Sequence, residues 1–273
     1  MGSAVMSDPD APTPTEREEI EKLFRLYLDA RQTLPAIGHY VGYGWGNLPN
    51  PLSGLWLPYS QMFEEFSREI SNTINDFTNG VRSLAAWDQA IDGLSDEAKL
   101  RAVHTFIDVV ATSAMGMPFV VRSRFLFAAA HLCHQANQVR LGSSWRDDLP
   151  LDDAIEMNVA DTYGKPWRKY NRFKLALERI SDKGFREQSR DFRNAYQHRF
   201  SPRFVIGITQ LATRISDPET KRIVYGIGSR PAMALSDVVS MLAERLERVY
   251  KAFDAFRALV AEMEGEIAKN NSW

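Results

Sequence analysis

The 273-residue sequence holds a single cysteine, Cys133, which excludes an intramolecular disulfide and any zinc site built from several thiolates. That scarcity fits a reducing, cytoplasmic setting. An excess of charge of either sign is also missing: 33 basic residues stand against 35 acidic ones, a formal net charge of −2. A protein that binds nucleic acid with its whole surface should be basic, so any such site here is a local patch. The N-terminal MGSAVMSDPDAPTPT has neither a basic n-region nor an apolar h-region and does not read as a signal peptide. Met6 stands where N-myristoylation requires Ser or Thr. No apolar run reaches the roughly 18 residues of a membrane span, so the expectation is a soluble protein away from membranes. The G-x-S-x-G, H-E-x-x-H, Walker A and Rossmann glycine patterns are absent as well.

What is present is helical periodicity over most of the length, in a chain 44% hydrophobic and long enough to bury its own core. Residues 1–13, small and proline-bearing, read as a disordered tail, and 14–273 as one helical domain. Thr13-Pro14-Thr15-Glu16 announces a first helix to about Thr33, with Thr13 and Glu16 as a capping box. The segment 35–59 is rich in glycine, proline and aromatics; it is expected to be irregular yet packed on the body, and GYGWG within it lacks the Lys-Ser/Thr ending of a phosphate loop. Further helices are expected at about 59–92 and 95–114. Met115-Gly116-Met117-Pro118 reads as a breaker, and an apolar central helix follows at 119–140. Short helices are expected near 151–162 and 166–181, then a helix at about 183–198. Phe204–Thr209 and Ile223–Ile227 flank the turn-like Asp217-Pro218-Glu219-Thr220, which predicts one β-hairpin within 203–228. A long helix closes the chain at 234–268. The fold class expected is mainly α, a multi-helix bundle with one hairpin.

The densest chemistry lies in FREQSRDFRNAYQHRFSPRF, residues 185–204. Arg186, Arg190, Arg193 and Gln197 share one face of a continuous helix, and Arg199 and Arg203 follow. Five arginines face only Glu187 and Asp191, a local excess of three positive charges. Guanidinium groups bind phosphate bidentately and aromatics stack on bases, so Arg186, Arg190, Arg199 and Arg203 are candidate RNA-binding residues. A solvated helix face with core aromatics is the other reading of such a stripe.

Within it, Arg193-Asn194-Ala195-Tyr196-Gln197-His198 resembles the R-x4–6-H motif of HEPN-domain ribonucleases, in the form with a polar residue after the Arg. The resemblance covers these six residues and the helical character of the chain. It implies a metal-independent endoribonuclease, of toxin or phage-defence type, that needs no cofactor, acts as a homodimer with paired motifs along a cleft and takes RNA as substrate, with a protein antitoxin as a further partner. Arg193, Asn194 and His198 would be catalytic. The chemistry suits them: attack of the 2′-hydroxyl on the adjacent phosphorus needs a proton carrier near neutral pH, the role of His198, and a fixed cation for the phosphorane charge, the role of Arg193. Five residues on a regular helix turn through about 500°, so Arg193 and His198 stand about 140° apart and converge only through a bend or across a dimer. Some toxin members continue the motif to R-x4-H-x-Y; Phe200 occupies the tyrosine position here, which puts control by tyrosine modification in doubt.

Three other readings stay open. His198 caps a helix C-terminus and Arg193 meets an acidic neighbour, the motif being structural. The chain is a non-catalytic module for RNA, a nucleotide or a protein. Or His131 and His134, one turn apart in the apolar helix, bind a metal with a third ligand. In that helix Arg122, Arg124, His131, Gln135 and Asn137 form a polar stripe that would line a cleft opposite the arginine helix.

Overall fold

The computed structural model describes residues 13–271; the expected disordered tail, apart from Thr13, lies outside the described residues. Helix α1 (Pro14–Thr33) begins where the capping box places it, the Thr13 hydroxyl accepting the Glu16 N–H while the Glu16 carboxylate accepts the Thr13 N–H. Helix α2 (Leu57–Ala90) buries Phe63, Ile70, Ile74, Phe77, Val81 and Leu84 along one face. Helix α3 (Asp96–Ala102) passes through a π-helical turn, Val103–Ile107, directly into α4 (Asp108–Ala136).

The expected break at residues 115–118 does not occur: Pro118 sits inside α4. Proline within a helix costs about 3 kcal/mol. Here the residue is buried, in a helix that packs against α2, α6 (Met157–Gly164) and α10 (Leu235–Lys269), and that tertiary packing outweighs the lost hydrogen bond. Small residues let α2 and α4 approach closely, a Cβ built on Gly80 lying 3.3 Å from that of Ala114. The stretch 96–144 is long and apolar enough, by length and composition, to cross a membrane, which the sequence reading did not anticipate. In the fold its α4 portion is the central helix, packed against α2 and the terminal helix.

The chain continues through α5 (Gln138–Leu141), α6 (Met157–Gly164) and α7 (Tyr170–Glu178) to α8 (Lys183–Gln188) and α9 (Phe192–His198). Two small antiparallel ladders follow: β1 (Ile208–Thr209) pairs with β4 (Arg230–Pro231), and β2 (Ala212–Ser216) pairs with β3 (Ile223–Ile227). The hairpin and its turn are as expected, with Asp217 accepting the N–H groups of Glu219 and Thr220 at 3.0 and 2.6 Å. Its first strand is displaced from 204–209 to 212–216. Phe204 is instead a buried plug against Phe192, and positive φ at Val205, Gly207 and Gln210 kinks the chain before it can extend. Helix α10 (Leu235–Lys269) closes the fold, and one core cluster runs from Leu23 to Ile267. The fold is mainly α with a small hairpin region.

The irregular segment before α2 packs on the body, as its composition demands. Its backbone polar groups are met by side chains. Asn75 accepts the Val41 N–H at 2.8 Å and donates to Val41 O at 3.0 Å; Tyr250 does the same for His39 at 2.9 and 2.8 Å. Glu264, buried on α10, accepts the Asn47 N–H at 2.8 Å. Trp45 stands edge-on to Phe63 and Phe253. Gly46 must be glycine because a Cβ would overlap the Phe63 ring.

Burial raises the Glu264 carboxyl above its ordinary 4.5, the Asn47 N–H pulling the other way. A carboxyl with a raised folded-state pKa contributes stability that is complete below about pH 4.5 and is lost as pH rises through the folded value. Glu264→Gln keeps the acceptor for Asn47 and removes the charge. It is therefore expected to raise the melting temperature at pH 7, with the gain shrinking towards pH 4.5; thermal denaturation at the two pH values checks this.

Candidate nucleic-acid cleft and its supports

The basic segment is anchored by one buried cation. Arg245, on the inward face of α10, is 1% exposed. Its guanidinium donates to Asp182 Oδ1 at 3.1 Å and to Gln188 Oε1 at 3.0 Å, and lies 5.3 Å from the centre of the Phe185 ring. Asp182 caps α8 by accepting the Phe185 N–H at 2.9 Å, and its second oxygen takes Arg248 Nη1 at 2.5 Å. A cation at this depth needs such partners, because an unpaired buried charge is far costlier than a paired one.

The helix expected at 183–198 is broken. Arg190 and Asp191 both adopt φ of 56°, the left-handed region, and close α8 through the Asp191 N–H donating to Arg186 O at 2.6 Å. Aspartate tolerates this conformation better than most residues; Arg190 is held in it by donating to Pro231 O at 2.6 Å. The single arginine face therefore does not form, and Arg186 and Arg193 belong to different helices.

They nevertheless converge. Arg186, Arg193 and Asn194 line one cleft of about 400 Å³ with Arg122 and Phe119 of α4 on the opposite wall. The Arg193 guanidinium lies 5.4 Å from the centre of the Phe119 ring. Three carboxylates also line the cleft: Glu178, Asp182 and Asp191. Asp182 is committed to Arg245 and Arg248, and Asp191 accepts from the Asn194 amide at 2.9 and 3.0 Å and faces Arg199 at 3.8 Å. Among the described residues, Arg122, Arg186 and Arg193 are not ion-paired. The cleft thus presents three guanidiniums without ion-pair partners against Glu178 and an Asp191 whose one cationic contact is Arg199 at 3.8 Å; guanidiniums are the groups that bind anions bidentately.

The other expected site residues lie elsewhere. His198 ends α9, is exposed and does not line the cleft; α9 is regular, so the roughly 140° between it and Arg193 is not removed by a bend. Arg199 and Arg203 are exposed outside the cleft, and Arg190 is spent on Pro231. The polar stripe of α4 divides: Arg122 enters the cleft as expected, whereas Arg124 pairs with Glu69. His131 faces Asp152 at 3.5 Å and His134 faces Asp147 at 3.0 Å. Among the described residues, no group of three or more His, Cys, Asp and Glu could hold a metal ion. Arg245 was missed. Its signal was there: it falls in the stripe Val238, Leu242, Leu246, Val249 of α10, where an arginine can only be a buried cation. Compared with protein-family models, curated proteins and solved structures, the chain matches none.

Arg245→Ala leaves Asp182 half-paired and Gln188 unmet, and is expected to cost about 3 kcal/mol in chemical denaturation. Burial works against the charged form of Asp182, but the Phe185 N–H, Arg248 and Arg245 together hold its carboxyl below the ordinary 3.8. Stability from a lowered carboxyl is complete above about pH 4 and lost as pH falls through the folded value. Asp182→Asn should accordingly flatten the acid limb of the stability curve while lowering the plateau at pH 7.

Proposed function

We propose that the chain is a HEPN-like, metal-independent endoribonuclease whose active centre is completed by a second copy of itself. The observation that carries this is the cleft holding Arg122, Arg186 and Arg193 without ion-pair partners, with Asn194 of the R-N-x3-H motif on its wall. Three fixed guanidiniums in one concavity suit a phosphodiester, whose charge grows in the transition state. In the reaction the 2′-oxygen forms a bond to phosphorus as the P–O5′ bond breaks. The 2′-hydroxyl proton leaves to a base and the departing 5′-oxygen gains a proton. The products are a 2′,3′-cyclic phosphate and a 5′-hydroxyl.

Arg193 stabilises the phosphorane, Asn194 orients the substrate, and Arg122 and Arg186 hold flanking phosphates. His198, on another face of α9, serves as the proton carrier in the cleft of a partner copy. A toxin or defence role in the cytoplasm, held in check by a protein antitoxin, belongs to the same reading. One observation favours a different class: His198 is absent from the cleft of its own chain, which is what a non-catalytic RNA-binding module with a structural motif would show.

RNA cleavage in EDTA separates the two. Wild type is expected to cut and to leave cyclic-phosphate ends. His198→Ala should lose about 100-fold or more in rate, the ordinary weight of a general acid or base, and Arg193→Ala a comparable amount. Arg186→Ala is expected to weaken RNA binding and to reduce its dependence on salt. Equal behaviour of wild type and both motif variants on a broad RNA panel, with binding retained, would establish the binding module instead.

A further inference from the structure

His134, the second of the two histidines of α4, borders a concavity that the nuclease reading does not use. It lies at the C-terminal end of α4, has a volume of about 270 Å³, and is lined by Asn137, Arg140, Trp145, Arg146 and Tyr163 around His134. Three aromatic rings, those of His134, Trp145 and Tyr163, stand in its wall. His134, 2% exposed, is flanked by the Trp145 and Tyr163 rings at 5.1 and 4.8 Å, and its Nε2 faces Asp147. Trp145 is fixed by its indole N–H donating to His134 O at 3.1 Å, and Tyr163 by its hydroxyl donating to Asp148 at 3.0 Å.

Two features of this pocket call for a ligand. Asn137 is 5% exposed; its amide nitrogen donates to Tyr163 O at 3.0 Å, while its Oδ1 is buried and accepts from nothing. A buried acceptor left unmet is rare and costly. Two guanidiniums also border the pocket. Arg146 is steadied by donating Nη1 to Ser143 O and Trp145 O, leaving its other nitrogens open. Arg140 lies over Trp167, with Glu262 at 3.9 Å. Fixed rings, a buried unmet acceptor on Asn137 and two bordering guanidiniums, with Asp148 the one carboxylate among the lining residues, suit a flat heteroaromatic group that carries an N–H donor and a phosphate. The volume is just below the range for drug-sized ligands, which limits the occupant to about one nucleotide.

We propose that this pocket binds a 5′-nucleoside monophosphate group, either as a free mononucleotide or as the 5′-phosphorylated end of an RNA. The base lies against Tyr163 and Trp145 with an N–H towards Asn137, and Arg140 and Arg146 hold the phosphate. The site is separate from the arginine cleft and does not depend on the nuclease reading.

Calorimetric titration of the full chain tests it, using the four 5′-mononucleotides, the matching nucleosides, inorganic phosphate, and a tetranucleotide with and without a 5′-phosphate. At least one mononucleotide or the phosphorylated tetranucleotide should saturate below 1 mM, as an expected bound of order. Nucleoside and phosphate alone should each bind at least tenfold more weakly. A preference for the mononucleotide identifies the free ligand; a preference for the tetranucleotide, lost without its phosphate, identifies an RNA end. Arg140→Ala and Arg146→Ala should each weaken binding about tenfold or more, the weight of a charge-assisted pair. His198→Ala should leave it unchanged, so a failed nuclease would not remove this site. Should the arginine variants not fold, photo-crosslinking of an azido-nucleotide to wild type must map to residues 134–163. Absence of saturable binding, affinity unchanged in both arginine variants, or crosslinks confined elsewhere would overturn the proposal.

Discussion

The ion pair between Arg245 and Asp182 is the contact on which the geometry of the arginine cleft depends. Arg245 rises from the first third of α10 and Asp182 begins α8, so the pair fixes where the basic segment leaves the core. By capping α8, Asp182 also sets the phase of that short helix and hence where Arg186 points. Because Asp182 is neutralised from behind by Arg245 and Arg248, it lines the cleft without cancelling the guanidiniums inside it. A structural ion pair thereby leaves a neighbouring surface electropositive in a protein of net charge −2.

The rest of the fold holds the two walls of that cleft in register. Arg122 and Phe119 project from α4, which stays helical through the buried Pro118 and packs against α2, α6 and α10. Helix α4 is in turn fixed between α2 and α10, and the irregular segment before α2 is bound to both of those helices through Asn75, Tyr250 and Glu264. The left-handed pair Arg190 and Asp191 then redirects the chain so that α9 returns Arg193 towards α4. Asp191 does two jobs: it makes the turn, and it binds Asn194 and Arg199 once the turn is made.

Much of this was legible in the residue order. The first and last helices, the packed aromatic segment, the turn at Asp217 and the mainly helical class follow from capping residues and apolar spacing, which are local signals. What failed was non-local. Pro118 reads as a breaker because proline's penalty is local while the burial that overrides it comes from distant helices. The break at residues 189–191 was hidden because FREQSRDFRNAYQH keeps helical spacing across it; only the contacts of Arg190 with Pro231 and of Phe192 with Phe204, made by residues far along the chain, favour the turn. The site residues divide in the same way. Arg193, Asn194 and Arg186, singled out by the motif and the charge pattern, line one cleft with Arg122 of the α4 stripe, whereas Arg190, Arg199 and Arg203 lie outside it.

The central claim is that Arg193 of one copy works with His198 of another, since the regular helix between them keeps them apart in a single chain. Mixing two variants tests it directly. Arg193→Ala and His198→Ala proteins, each inactive alone, are unfolded together, refolded, and assayed on RNA in EDTA. If the site is shared, random pairing makes half of the dimers mixed and each mixed dimer retains one intact site of two, so about a quarter of wild-type activity should return. Activity that stays at the level of the separate variants, in a mixture shown to contain mixed dimers, would contradict the account.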